Sequence, residues 1–140
     1  MKPAKMIFII MTISFIVLPL SCYSSQGAMI QAEGMKNSGG FKRKFSLVAF
    51  PETDIAMLNM ETTSWKMPAA KTHLSQVHSV EFNGDTVKIV GDVYTISNGR
   101  AYYKYNSVIE LNLDTKTLKV QLWYGPWHET FDNMHINIHE

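Results

Sequence analysis

Cysteine is almost absent from this chain: Cys22 is the only one in 140 residues. A lone cysteine forms no intramolecular disulfide, which excludes the cross-linked scaffold that small secreted eukaryotic domains use when their cores are small. From position 28 onward there is no Asn-X-Ser/Thr glycosylation acceptor either. An excess of charge of one sign is also missing, with 13 Lys and Arg against 12 Asp and Glu. So near-neutral a balance supplies no overall field to draw in nucleic acid, acidic polymers or anionic lipid. The G-x-S-x-G, H-E-x-x-H, P-loop and Rossmann signatures are absent, so no enzyme class has positive support. With Cys22 ahead of the folded body, a cysteine nucleophile is excluded as well. No repeat of solenoid period is present.

What is there begins at the N-terminus. Lys2 and Lys5 precede an apolar run from Met6 to Leu20, relieved by Thr12, Ser14 and Pro19, and small polar residues follow. This is the layout of a secretory signal peptide. The run is shorter than the ~20 apolar residues a spanning helix needs. Ser25 and Gly27 are small enough to place the cut before Ala28, giving a signal over residues 1–27. Cys22 behind Leu18-Pro19-Leu20-Ser21 is the alternative: a lipid-modified cysteine of a bacterial lipoprotein, although Pro19 stands where that pattern wants a Leu-like residue. With the missing disulfides and glycosylation acceptors, the expectation is an exported periplasmic or extracellular protein, lipid-anchored to the envelope in the alternative.

The remainder, about 110 residues, is one domain on size grounds. Removing Lys2 and Lys5 leaves eleven cations against twelve carboxylates. Residues 28–40, rich in Gly, Ser, Asn and Lys, read as a flexible leader, and 41–140 as a single β-domain. Phe41 to Phe50 alternates with period two and puts Phe41, Arg43, Phe45, Leu47 and Ala49 on one face. The Lys42-Arg43-Lys44 run reads as charge on an exposed edge strand, where it discourages pairing with another sheet. Residues 53–76 read as a flap packed over the sheet. Beyond them, Asn83-Gly84 and Asn98-Gly99 separate hydrophobic runs, the strongest short signal for a hairpin. Pairing Ser97 with Arg100 aligns Tyr94 with Tyr103 and places both on one apolar face with Ser107, Ile109, Leu111 and Leu113. Strands at 117–124 and 128–139 complete an all-β antiparallel meander of about six to eight strands. Its edges require a small, partly closed barrel or sandwich.

Three groups of side chains stand out as candidate sites. Trp123, Tyr124, Trp127 and His128 surround a Gly-Pro break, and rings at a turn commonly grip a partner. Tyr94, Tyr103 and Tyr105 would line the interior of a hollow barrel. His128, Asp132, His135 and His139 are the residue types that hold a divalent transition metal, but in a strand His135 and His139 lie about 13 Å apart. The favoured function is therefore a non-enzymatic binding module for a protein partner or a small apolar ligand, with no cofactor. Nucleic acid is not expected as a partner, and a membrane only if Cys22 is lipidated. The alternatives are a metal-binding protein built on the C-terminal histidines and an anchored lipoprotein of an envelope complex.

Overall fold

In the second half of the chain the Asn98-Gly99 turn folds as its sequence dictates. Asn98 and Gly99 take φ of +51° and +72°, the left-handed pair that a two-residue hairpin of matching twist requires. Ser97 then pairs with Arg100, Ile96 with Ala101 and Tyr94 with Tyr103. This hairpin sits within a computed structural model that describes residues 28–140. The proposed signal peptide and Cys22 lie outside the described residues.

The described chain is all strand, nine antiparallel strands in one curled half-barrel sheet: β1 (Met29–Ser38), β2 (Phe41–Phe50), β3 (Ile55–Ser64), β4 (Ala70–Asn83), β5 (Thr86–Ser97), β6 (Arg100–Asn112), β7 (Thr117–Leu122), β8 (Gly125–Thr130) and β9 (Asn133–His139). The first eight follow one another across the sheet, and β9 lies on the far side of β1. Since β8 is antiparallel to β7 and β9 is antiparallel to β1, β8 and β9 run in the same direction. They act as one last strand that changes partner at Phe131-Asp132. Its upper half closes one edge of the sheet and its lower half the other. Pro126 is tolerated because β8 is an edge strand, where a missing N–H costs no ladder bond.

The concave face buries one core, with Ile30, Leu47, Leu58, Ile89, Ile109, Leu111, Leu118 and Phe131 all essentially inaccessible. Phe131 is the corner piece. Its ring packs edge-on against Phe45 at 4.8 Å between centroids, and its N–H donates to Lys116 O at 2.9 Å. Close by, Glu129 on β8 accepts from Lys36 Nζ on β1 and Arg43 Nη1 on β2, each at 2.6 Å. Charge-assisted bonds thus tie β8 to strands with which it forms no backbone ladder. The inward polar side chains are satisfied: Thr72 and Thr95 hydroxyls meet at 2.8 Å and Ser107 donates to Gln121 O at 2.6 Å.

Several expectations are corrected. The presumed leader at 28–40 contains strand β1, whose inward residues Ile30 and Ala32 are fully buried. The presumed flap at 53–76 is β3 and the start of β4, within the sheet. Lys42, Arg43 and Lys44 stand on β2, paired on both sides, so they do not guard an edge. The first Asn-Gly turn is shifted by one residue, since Asn83 pairs with Thr86 and Gly84-Asp85 forms the turn. The strand expected at 128–139 is divided at 131–132, and Gly125-Pro126 starts β8.

Candidate functional site

Tyr94, Tyr103 and Tyr105 have the register expected but the opposite face. The ladder between β5 and β6 pairs Val93 with Lys104 and then Gly91 with Ser107, so Tyr105 and Asn106 together face Asp92. This is a β-bulge, and the extra residue inverts the in–out phase of everything beyond it. Asn106 adopts φ of +50°. The Asp92 carboxylate fastens the bulge, accepting from Asn106 N at 2.9 Å and from His78 Nε2 at 3.0 Å. The Asn106 amide first, and the His78 hydrogen bond next, hold the Asp92 carboxyl below its usual range. Ser107, Ile109 and Leu111 therefore point inward as expected, while Tyr103 and Tyr105 project from the outer face, 58% and 68% exposed. They do not line a cavity.

On that outer face the rings form a continuous run. His73 lies 5.3 Å from Tyr94, Tyr94 lies 6.1 Å from Tyr103, and Tyr103 lies 6.5 Å from Tyr105 with nearly parallel planes. At its His73 end the run opens into a groove of about 570 Å³ that crosses β9, β1, β2, β3 and β4. Met35 on β1 gives it an apolar patch, the strand segments at Gly34, Phe45 and Met60, whose side-chain positions face the core, form its floor, and the other lining residues are polar. Lys44 and Glu61 pair across it at 2.8 Å. The Lys44 hydrogen bond, opposed by desolvation and helped by the neighbouring lysines, keeps the Glu61 carboxyl below its ordinary value. His73 Nδ1 lies 2.6 Å from Asn59 Oδ1; with a proton on Nδ1, the imidazole donates to the amide oxygen and is fixed against the wall. Glu33 and His135 are direct cross-strand partners at the other side. Alternation along each strand sends these side chains outward, while their neighbours Phe45, Leu58 and Thr72 go inward.

The other candidates are placed elsewhere. Trp123 stacks on Tyr102 at 4.3 Å with planes 14° apart, and Tyr124 meets Trp123 edge-on at 5.3 Å. Burial pushes the Tyr124 hydroxyl above its usual pKa, with Arg43 opposing. Trp127 packs against the core, and His128, beside Lys119 across the ladder, is exposed. The aromatic turn is thus partly a plug, and β6 separates it from the tyrosine run. His128, Asp132, His135 and His139 do not assemble into a metal centre: among the described residues no three His, Cys, Asp or Glu side chains are grouped to hold one ion. His135 joins the groove instead, and His139 lies at the end of β9.

His78 and Asp92 form a histidine–carboxylate contact, but the nearby hydroxyl does not complete a catalytic relay. Ser75 Oγ donates to the Asp92 backbone carbonyl at 3.0 Å, and the Asp92 carboxylate holds the bulge. Sequence reasoning missed His73, Asn59, Lys44 and Glu61 as a group. Their convergence depends on the register of β3 and β4, for which the sequence carries no Asn-Gly marker. In comparison with known proteins, the chain matches no family model, no curated protein and no solved structure.

Proposed function

We propose that this chain is an exported, non-enzymatic binding module that holds an extended segment of a partner protein against its outer face. The observation that carries the reading is the continuity at His73, where a groove lined by Met35 and by polar and charged side chains becomes a run of rings on the outer face. The groove volume falls in the range of ligand sites, ~300–1,000 Å³. Its paired opposite charges, amide and imidazole groups complement a polypeptide, which offers backbone donors and acceptors along with mixed side chains. Tyrosines provide large, rigid contact area at low entropic cost, which is why they concentrate at binding hot spots. Export rests on Lys2, Lys5 and the Met6–Leu20 run.

Replacing Tyr103 and Tyr105 together by serine removes two exposed rings without opening the core. The double variant should unfold at the wild-type temperature and lose the envelope protein that cross-links to the wild type. Hot-spot losses of at least ~2 kcal/mol correspond to roughly a thirtyfold drop in affinity. An identical set of cross-linked proteins for both forms would refute the assignment, and recovery of a small apolar molecule would assign the groove to that ligand. Export is tested separately by intact mass: a chain beginning at Ala28 fits a released module, and one beginning at an acylated Cys22 fits an anchored lipoprotein.

A further inference from the structure

The near-zero net charge conceals a separation of charge along the barrel. Four turns lie at one end: Gly39-Gly40, the loop from Trp65 to Ala69, Asn98-Gly99 and Trp123-Tyr124. Within three residues of them stand six cations (Lys36, Lys42, Arg43, Lys66, Lys71 and Arg100) and no carboxylate. The three turns at the opposite end, 51–54, 84–85 and 113–116, hold six carboxylates within the same span, against Lys88, Lys116 and Lys119. Lys36 and Arg43 are occupied by Glu129. Among the described residues no carboxylate comes within salt-bridge distance of Lys42, Lys66, Lys71 or Arg100.

At this basic end the β3–β4 loop reads Trp65-Lys66-Met67-Pro68-Ala69. Trp65 is 79% exposed and Met67 61% exposed, and Lys66 Nζ sits 4.4 Å from the Trp65 ring centroid. Two large apolar side chains held out together at one turn tip form an exposed apolar patch, a mark of an interaction surface. A lysine set between an exposed tryptophan and an exposed methionine, ringed by unpaired cations, matches a bilayer surface. There an indole ring settles at headgroup depth, a methionine reaches the acyl boundary, and lysines meet phosphates.

We propose that the basic end docks on an anionic phospholipid surface, with the Trp65-Lys66-Met67 tip entering the headgroup layer and Lys42, Lys71 and Arg100 contacting phosphates around it. This surface adjoins the outer-face groove, since Lys71 stands at its edge beside Glu61 and His73. The acidic end, where β1 begins at Met29, would point away from the bilayer.

The test is co-sedimentation of the full chain, as recovered from expressing cells, with two kinds of vesicle. One is phosphatidylcholine alone and the other is equimolar phosphatidylcholine and phosphatidylglycerol. The chain should partition to the anionic vesicles at low salt and be released near ~1 M salt, where the screening length falls to about 3 Å. Each cation at such a surface is worth about a fivefold change in partition, so Lys66→Ala, Lys71→Ala and Arg100→Ala combined should weaken it roughly a hundredfold. Trp65→Ala should weaken it further. All four residues are exposed, so unfolding temperatures should match the wild type. Replacing Lys88, Lys116 and Lys119 at the opposite end by alanine should leave partition unchanged. Equal binding to both vesicle types, an unaffected triple variant, an equal loss from the opposite-end variant, or binding to an acidic polypeptide such as polyglutamate but not to the anionic vesicles would each overturn the proposal.

Discussion

Phe131→Ala should be the most damaging single substitution at the point where the last strand changes partner. The ring is fully buried, meets Phe45 edge-on at 4.8 Å and covers the backbone of β1 at Gly34. A Cβ on Gly34 would overlap Phe45 Cε1 and come within 2.9 Å of Phe131 Cγ, so glycine is required by the closeness of the two rings. Truncating a buried phenylalanine to alanine costs about 3–5 kcal/mol. A domain of this size has only ~5–15 kcal/mol in total. At about 4 °C per kcal/mol, the midpoint should fall by roughly 12–20 °C. Gly34→Ala alone should cost about 1–3 kcal/mol through overpacking, and clearly less in the Phe131→Ala background, where part of the obstruction is gone. Urea unfolding of the two single variants and the double variant supplies the cycle, and hydrogen exchange should show amides of 133–139 losing protection first. A Phe131→Ala cost below ~1 kcal/mol, or strictly additive effects of the two substitutions, would refute the idea that this contact holds the two halves of the last strand.

Two further outcomes follow from the closing contacts. Burial raises the Glu129 pKa, but the Lys36 and Arg43 contacts outweigh it and hold the carboxyl below its ordinary value. A folded-state pKa below the unfolded one gives stability that is present above the unfolded value of about 4.3 and lost as pH falls through the folded value. Thermal midpoints of Glu129→Gln should therefore fall less than those of the wild type between roughly pH 4.5 and pH 3, and parallel profiles would remove Glu129 from the acid-sensitive set. Trp127→Ala, at a half-buried ring against the core, should lower stability by roughly 1–3 kcal/mol in chemical unfolding; an unchanged midpoint would make it a contact residue and not a plug.

The hairpins were readable because their turns carry chemistry that few other structures want: Asn98-Gly99 set the β5–β6 register from the turn as far as Val93 and Lys104, beyond which the bulge shifts it by one residue. The same pattern misassigned the face of the tyrosines, because Asp92 and Asn106 create a bulge that no local motif announces. Residues 53–76 escaped detection for a different reason. Ile55 and Met57 lie exposed on the outer side of β3 while Leu58 and Met60 are buried, so apolar residues occupy both faces and the period of two is lost. In β1 the inward positions after Ala32 are Gly34 and Lys36, which dilutes the alternation into what resembled a leader. The histidines of β9 drew attention as a group, but alternation sent His135 outward into the groove and left no three ligands together among the described residues.

The divided last strand also dictates when the molecule can become itself. Met29 pairs with His139 and Ile30 with Ile138, contacts between positions about 110 residues apart along the chain. Hairpins from β2 to β7 can form as each segment appears, but β1 cannot gain its second neighbour until residues 133–139 are available. Contacts so distant in sequence slow folding, because the whole intervening loop must be closed before they contribute. A nascent chain stopped before residue 133 would carry β1 as an open edge, able to accept a strand from another molecule. The sheet is thus completed only once residues 133–139 are at hand, whatever the order in which the hairpins form.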